Sequence, residues 1–253
     1  MLDVLSAEFL KLRRSKVLML SIIACLIPAL IKYLQYAFGG KGANTGWVGF
    51  LSTGQELMVL CVLTAIILVS CFIFSMEYQY NTASYIFTSS TSKVYIYIAK
   101  LVLLFAMIAL FFLVSSISQL LFGYLAISEG FSGSLFAKFI EVNVWYIFAY
   151  FLLSTIIVMV AATIKRFVLS VVIIYGYYML VFPFHLKGNP YINPFMTPFI
   201  VAAKIFDSND YIFTDYYKDI SISITALAAF LAVLAVISLA VGILCYKKMD
   251  AVK

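Results

Sequence analysis

The sequence predicts an all-α integral membrane protein, and three observations lead to that fold class. Of the 253 residues, 65% are hydrophobic and only 11% are charged, whereas an ordinary soluble domain is about 45–50% apolar and about 25% charged. The mean hydropathy is +1.09. The apolar residues form runs near the roughly 20 residues that a helix needs to cross a bilayer. A soluble core could not hide this much apolar surface, so we expect one transmembrane domain spanning residues 1–253.

The first element is an amphipathic segment, residues 1–16. Leu2, Leu5, Phe9 and Leu12 recur at helical spacing and therefore share one face. Acidic residues come early and basic ones late, which suits the helix dipole. We expect a helix that lies on the membrane surface, with its basic end near anionic headgroups. Its expected surface residues are Phe9, Lys11, Arg13 and Arg14.

Six apolar runs follow as candidate spans, at about residues 17–38, 57–76, 96–127, 142–164, 167–185 and 220–246. The first contains Pro28, which predicts a kink, and Lys32, which either acts within the membrane or reaches to the far interface. The second and sixth carry no charge. The fifth is short and rich in Tyr and Val.

Basic residues predict the orientation of these spans. One side, called the basic side below, holds eleven of them, and the opposite side holds five. The positive-inside rule makes the basic side cytoplasmic, and six spans then place both termini there. The pI near 9.0 is thus a signal of topology and does not indicate nucleic-acid binding, which would need a basic soluble face.

Two connecting segments carry recognisable patterns. On the basic side, residues 77–100 contain an Asn-Thr pair, a Tyr-Ile-Phe run and a Ser/Thr cluster, which together favour a short capped helix. On the opposite side, residues 185–219 contain Pro190, Pro194 and Pro198 at intervals of four, followed by acidic and tyrosine residues. Such prolines break a continuous helix, so we expect short re-entrant pieces. Two interpretations stay open for this segment: a gate or docking rim built on Pro190, Pro194, Phe195, Asp207 and Asp215, or an ordinary loop with interfacial aromatics.

Several chemistries are not indicated. No phosphate-binding P-loop motif is present, and no nucleophile or zinc motif of a hydrolase is present. His185 is the sole histidine, and the four cysteines lie within apolar runs, so a metal site is not expected. No acidic residue stands out at mid-membrane as in ion-coupled carriers. The chain is therefore not expected to be an enzyme or to bind a cofactor itself.

In this layout the chain resembles the type-2 ATP-binding-cassette permeases. That family's loop after the second span commonly reads E-x-x-x-G-T, then a Pro/Ser-basic turn, then A-K at the start of the third span. The matching residues here are Glu77, Thr82, Ser92-Lys93 and Ala99-Lys100. Asn81 replaces the family's glycine, a mild change because asparagine tolerates left-handed backbone. Thr91 or Ser90 replaces its proline.

The resemblance implies a membrane permease without an ATPase site, paired with a second permease, identical or different, and with separate ATPase subunits that bind ATP and Mg. Residues 1–16 would be the family's elbow helix. A coupling helix would contact the ATPase through Glu77, Asn81, Thr82, Tyr85, Ile86 and Phe87. The size resembles bacterial cell-membrane permeases for bacitracin or lantibiotic immunity and phenol-soluble modulin export, which implies an amphipathic, antimicrobial peptide-like substrate.

The resemblance also implies a substrate path along the second and fifth spans. Thr64, Tyr175 and Tyr178 offer an apolar surface with scattered hydroxyl groups, which suits an amphipathic molecule. The alternative is that these residues join helices, since hydroxyl side chains favour close packing in lipid. Two other function classes stay open, a gradient-driven carrier or channel and a membrane scaffold or sensor subunit without transport of its own.

Overall fold

Eight α-helices and one 3₁₀ turn are found in the residues that the computed structural model describes, which are 2–39, 46–80, 92–127, 130–185, 193–206 and 223–247. No strand occurs within these ranges. The helices are α1 (Leu2–Arg13), α2 (Lys16–Ala37), α3 (Gly46–Gln79), α4 (Lys93–Ala126), α5 (Gly133–Ile164), α6 (Phe167–His185), α7 (Thr197–Phe206) and α8 (Ile224–Lys247), with the 3₁₀ turn at Pro194–Met196 before α7. The all-α fold class predicted from composition is confirmed.

Serine side chains cap the N-termini of three of the long helices. Ser15, Ser92 and Ser132 each accept a hydrogen bond from a backbone N–H three residues later, at the starts of α2, α4 and α5. Serine is favoured at this position because its oxygen satisfies an otherwise unpaired helix donor. At the other end of α5, Lys165 takes a left-handed conformation with φ of 62°. That turn lets α6 begin at Phe167 directly after α5.

In the described residues, five helices are long and apolar enough to cross a membrane, namely α2, α3, α4, α5 and α8. α6 adds a shorter apolar stretch, Phe167–Val181, so the count of six spans stays a prediction. α3 and α5 begin well before the corresponding predicted spans, and α4 begins three residues before its span. The reason is physical, because hydropathy marks the part of a helix in lipid, whereas the helix itself runs on to its cap.

α3 is the central helix of the bundle, and α2, α4, α5 and α6 pack against it. Its side chains are buried on nearly all sides. Between Leu57 and Leu68 the accessible ones form a single stripe that also includes Leu60, Cys61 and Thr64. This spacing of three and four residues defines one helix face. The core therefore surrounds α3, and one narrow side of this helix remains uncovered.

Two buried carboxylates of α3 are separated by about the thickness of a bilayer. Glu56 is 9% exposed and Glu77 is 1% exposed. Their positions differ by 21 residues, which corresponds to roughly 32 Å of helix, against a hydrocarbon thickness of roughly 30 Å. Lys32 of α2 interacts electrostatically with Glu56. The two carboxylates thus fit the two boundaries of the bilayer, with Glu77 on the basic side.

The predicted broken segment after the fifth span is present in its described part. Every described side chain from Asn193 to Ala202 is buried. The hydroxyl of Tyr150 donates to the Phe195 carbonyl at 3.2 Å, and the indole N–H of Trp145 donates to the Pro198 carbonyl at 3.0 Å. Tyr150 lies roughly 21 Å along α5 from its end on the basic side, which is less than the roughly 30 Å thickness of the hydrocarbon. In a bilayer that begins at the basic end of α5, the 3₁₀ turn would lie within the hydrocarbon layer.

Candidate functional site

Four charged side chains from three helices meet at the basic side of the bundle. Lys100 of α4 places its Nζ 3.0 Å from Glu8 Oε2 of α1 and 2.9 Å from Glu77 Oε1 of α3. Lys11 of α1 forms an ion pair with Glu8 and lies 3.9 Å from Glu77. The hydroxyl of Tyr246, near the end of α8, donates to Glu77 Oε2 at 3.2 Å. We call these five residues the charged junction.

The junction is buried and its charges balance. Lys100 is 0% exposed, Glu77 1% and Glu8 4%, whereas the side chain of Lys11 is 36% exposed. Lys100 also donates to the Ile73 carbonyl at 2.9 Å, so its ammonium group has three oxygen atoms within 3.0 Å. Burial alone would raise the pKa of Glu8, but Lys100 and Lys11 outweigh it and hold that pKa below its ordinary value. The Glu8 carboxylate is therefore held as an anion between the two ammonium groups.

Aromatic side chains pack around the buried part of the junction. The rings of Tyr97 and Tyr246 have centroids 5.4 Å apart, and Phe74 lies 5.4 Å from Tyr97 at a steep angle. Lys100 also lies over the Phe74 ring, 5.7 Å from its centroid. Gly242 of α8 makes this arrangement possible, because a Cβ there would overlap the Tyr97 hydroxyl. Charges in such a dry setting interact more strongly than charges in water.

The junction fastens together the ends of four helices. It joins α1, the end of α3, the start of α4 and the end of α8. Glu77 and Lys100 also stand on either side of the connection between α3 and α4. Their 2.9 Å ion pair holds the base of that connection closed. A displacement of the connection would therefore act on α1 and α8 as well, because removing one partner from a buried ion pair is costly.

Of the predicted coupling residues, the structure describes Glu77. Asn81, Thr82, Tyr85, Ile86 and Phe87 lie outside the described residues. Glu77 lies in the last turn of α3, and its carboxylate contacts Lys11, Lys100 and Tyr246 of its own chain. A contact of Glu77 with an ATPase stays a prediction, and the structure adds an intramolecular role for its carboxylate.

The predicted elbow residues differ in their surroundings. Phe9 is 44% exposed, and Arg13 and Arg14 are exposed as well. Lys11 instead turns toward the carboxylates of the junction. Leu12, on the predicted apolar face, is fully buried. α1 therefore faces the bundle with Glu8 and Leu12, and it leaves Phe9 and the two arginines on its outer surface.

Two of the predicted path residues meet in the structure. Thr64 and Tyr175 are hydrogen-bonded through their hydroxyl groups, which joins α3 to α6. Thr64 also donates to the Leu60 carbonyl at 2.9 Å, so its one proton is used there and Tyr175 is the donor of the pair. Tyr178 is different, since it is 3% exposed and donates to the sulfur of Met196. It contacts the 3₁₀ turn.

The predicted gate residues that the structure describes are buried. Pro194 and Phe195 form the 3₁₀ turn, and Phe195 is 2% exposed. Their placement follows from the hydrogen bond that Phe195 receives from Tyr150. Pro190, Asp207 and Asp215 lie outside the described residues, so a role as a gate or rim stays a prediction.

Sequence reasoning missed Glu8, Lys100 and Tyr246 as parts of one site. One signal was present, because Glu8 lies three residues after Leu5 and four before Leu12, on the face otherwise predicted to be apolar. A carboxylate on such a face requires a partner when it is buried. The interaction of the buried Glu56 with Lys32 was likewise not predicted from the sequence. In the described part of the chain, no group of His, Cys, Asp and Glu side chains could hold a metal ion.

Comparison with known proteins supports the layout. A search of curated proteins finds no match to the chain. A family model described as an ABC-2 family transporter protein matches residues 4–181. The matched region runs from α1 through α6 and contains Glu8, Lys11, Glu77 and Lys100 of the charged junction. Because the match covers more than half of the sequence, the chain belongs to the ABC-2 family of transporter proteins.

Proposed function

We propose that this chain is the permease subunit of an ATP-binding-cassette exporter, driven by ATP that a separate subunit hydrolyses with Mg. The charged junction carries this proposal. It fixes the base of the connection at residues 81–91 through the Glu77–Lys100 pair, and it links that base to α1 and α8. A partner that pushes on the connection would thereby move several helices together.

In this proposal the basic side is cytoplasmic, and the ATPase binds the connection through Tyr85 and Ile86. Apolar side chains in a cytosolic loop favour a protein contact. Cysteine labelling tests the orientation. Cysteines introduced at Ser132 and Ser208 should react with a membrane-impermeant thiol reagent added outside the cell, whereas a cysteine introduced at Ser92 should not.

The substrate is proposed to be an amphipathic or antimicrobial peptide-like molecule. Two permeases would face each other across the accessible stripe of α3, beside the Thr64–Tyr175 pair. That stripe is apolar apart from the hydroxyl of Thr64, and Tyr175 beside it supplies a second hydroxyl, which suits a molecule with both kinds of surface. The bacterial cell membrane, as in the resembling exporters, is the proposed location.

Co-purification from the native membrane tests the proposal. The wild-type chain should carry an ATPase subunit with it, and the double variant Tyr85→Asp/Ile86→Asp should lose that partner while remaining inserted. A matched control is Tyr124→Asp, at a residue that is 80% exposed at the far end of α4. Retention of the ATPase and of its ATP hydrolysis by the double variant would contradict the assigned contact. Absence of any ATPase with the wild-type chain would contradict the proposed function.

A gradient-driven carrier is the second candidate, favoured by one observation, the burial of Glu56 within α3. The nearby Lys32 compensates its charge, and its separation from Glu77 fits the far boundary better than mid-membrane. Glu56→Gln separates the two functions. An ion-coupled carrier would lose transport, whereas an ATP-driven permease that folds normally would keep it.

A further inference from the structure

α5, α6 and α8 enclose an apolar cavity of about 360 Å³ beneath the 3₁₀ turn. α5 contributes Ile156 and Val160, α6 contributes Ile173 and Tyr177, and Phe195 and Leu234 complete the wall. Among the described residues, no charged side chain lines the cavity, and Tyr177 supplies the one side-chain hydroxyl. The cavity is separate from the charged junction and from the Thr64–Tyr175 pair.

The cavity opens sideways, past α6. Ile173 and Tyr177 line it and are still 46% and 42% exposed, whereas Phe195 in its far wall is 2% exposed. Two α6 side chains thus both line the cavity and reach the outer surface, so the cavity borders that surface. The opening therefore leads from the outer surface of α6 to the buried 3₁₀ turn.

The depth of the cavity places this opening in the hydrocarbon. Val160 lies roughly 8 Å along α5 from Lys165, and Leu234 lies roughly 20 Å along α8 from Lys247. Both distances fall inside a layer of roughly 30 Å. The neighbouring outward side chains are apolar as well, with Val236 of α8 66% exposed and Val172 of α6 59% exposed. Lipid chains are thus the surroundings into which the cavity opens.

The apolar lining of the cavity determines which kind of molecule it can bind. A water molecule needs two to four polar partners, and apolar cavities stay dry. An empty cavity would forfeit dispersion contacts along its whole wall. A volume of about 360 Å³ lies at the low end for ligand pockets, roughly 300–1,000 Å³, which suits one flexible chain and is too small for a whole lipid or a folded peptide. We propose that this cavity binds a single acyl chain of a bilayer phospholipid, inserted between α6 and α8, and this holds independently of the proposed export function.

Photo-labelling tests the site. The full chain is reconstituted in phosphatidylcholine vesicles that carry a diazirine at the middle of one acyl chain, then extracted in detergent, washed and irradiated. We expect adducts on the lining residues of α5 and α6, because a chain held in the cavity survives the wash. The exposed Val236, at a similar depth, should carry few, since its lipid contacts are exchangeable.

Two filling variants and one control sharpen the test. Val160→Trp and Ile173→Trp each place a large side chain in the cavity from opposite walls, and either should abolish the lining adducts. Val236→Trp makes the same kind of change on the lipid-facing surface and should leave those adducts unchanged. Equal labelling of the lining and of Val236 in the wild-type chain, or no lining adducts at all, would overturn the proposal. So would a disulfide joining two copies through Tyr177→Cys, which would show that a second chain covers the opening.

Discussion

Replacing Lys100 with methionine tests the charged junction most sharply. Methionine keeps much of the length and volume of the side chain but removes the charge that faces Glu8 and Glu77 at 3.0 and 2.9 Å. Both carboxylates are nearly inaccessible to water. The exposed Lys11 is then the one remaining cation of the junction, and it lies 3.9 Å from Glu77. One buried negative charge is left uncompensated.

The expected loss of stability follows from that uncompensated charge. Removing one partner of a buried ion pair costs about 3–5 kcal/mol. For a chain of this length, that corresponds to a fall in Tm on the order of 10 °C. Adding Glu8→Gln to Lys100→Met restores the charge balance, with Lys11 left to pair with Glu77. The double variant should therefore recover a large part of the lost Tm.

Thermal unfolding in detergent, followed by size-exclusion chromatography, measures these differences. Lys138→Met is the matched control, because Lys138 is exposed on α5 and its loss should change Tm little. The reasoning is refuted if Lys100→Met is as stable as Lys138→Met. It is equally refuted if Glu8→Gln further destabilises the Lys100→Met variant, since the buried carboxylate would then not be the source of the loss.

Three further predictions concern single interactions. The pKa of Glu8 is held below its ordinary value of 4.5, so its ion pairs stabilise the fold above that pH and are lost as the pH falls through the lower pKa of the folded state. The Tm difference between wild type and Glu8→Gln should therefore shrink in acid. A difference that grows in acid would contradict the assignment. Thr64→Val and Tyr175→Phe should each cost about 0.6 kcal/mol, and the double variant should cost little more than either single one in unfolding experiments, whereas full additivity would argue against the hydrogen bond. Tyr150→Phe removes the donor to the 3₁₀ turn and should lower stability by about 1 kcal/mol, measured by Tm, and an unchanged Tm would show that this bond does not hold the turn.

The sequence predicted the fold class because composition depends on the solvent around the chain and not on its exact packing. The helix starts at Lys16 and Phe167 agree closely with predicted spans for a local reason, since basic or serine-containing turns precede both. The start of α3 at Gly46 was not predicted. Its first turns lie beyond the carboxylate of Glu56, where apolar content no longer marks a span.

The charged junction lay beyond sequence reasoning because its members are distant in the chain. Glu8 and Lys100 are 92 residues apart, and no local pattern relates them. The same limit applies to Thr64 and Tyr175. Each was singled out as a hydroxyl in an apolar helix, but their hydrogen bond depends on how α6 packs on α3.

The central claim is that ATP, bound by a partner, drives transport through this chain. The direct measurement uses the purified complex of the chain with its ATPase, reconstituted in vesicles with a fluorescent amphipathic peptide and no ion gradient. We predict that peptide crosses the membrane when ATP and Mg are added, and that Lys100→Met with intact assembly slows this movement. Peptide transport that does not depend on ATP and occurs only when an ion gradient is imposed would contradict the account.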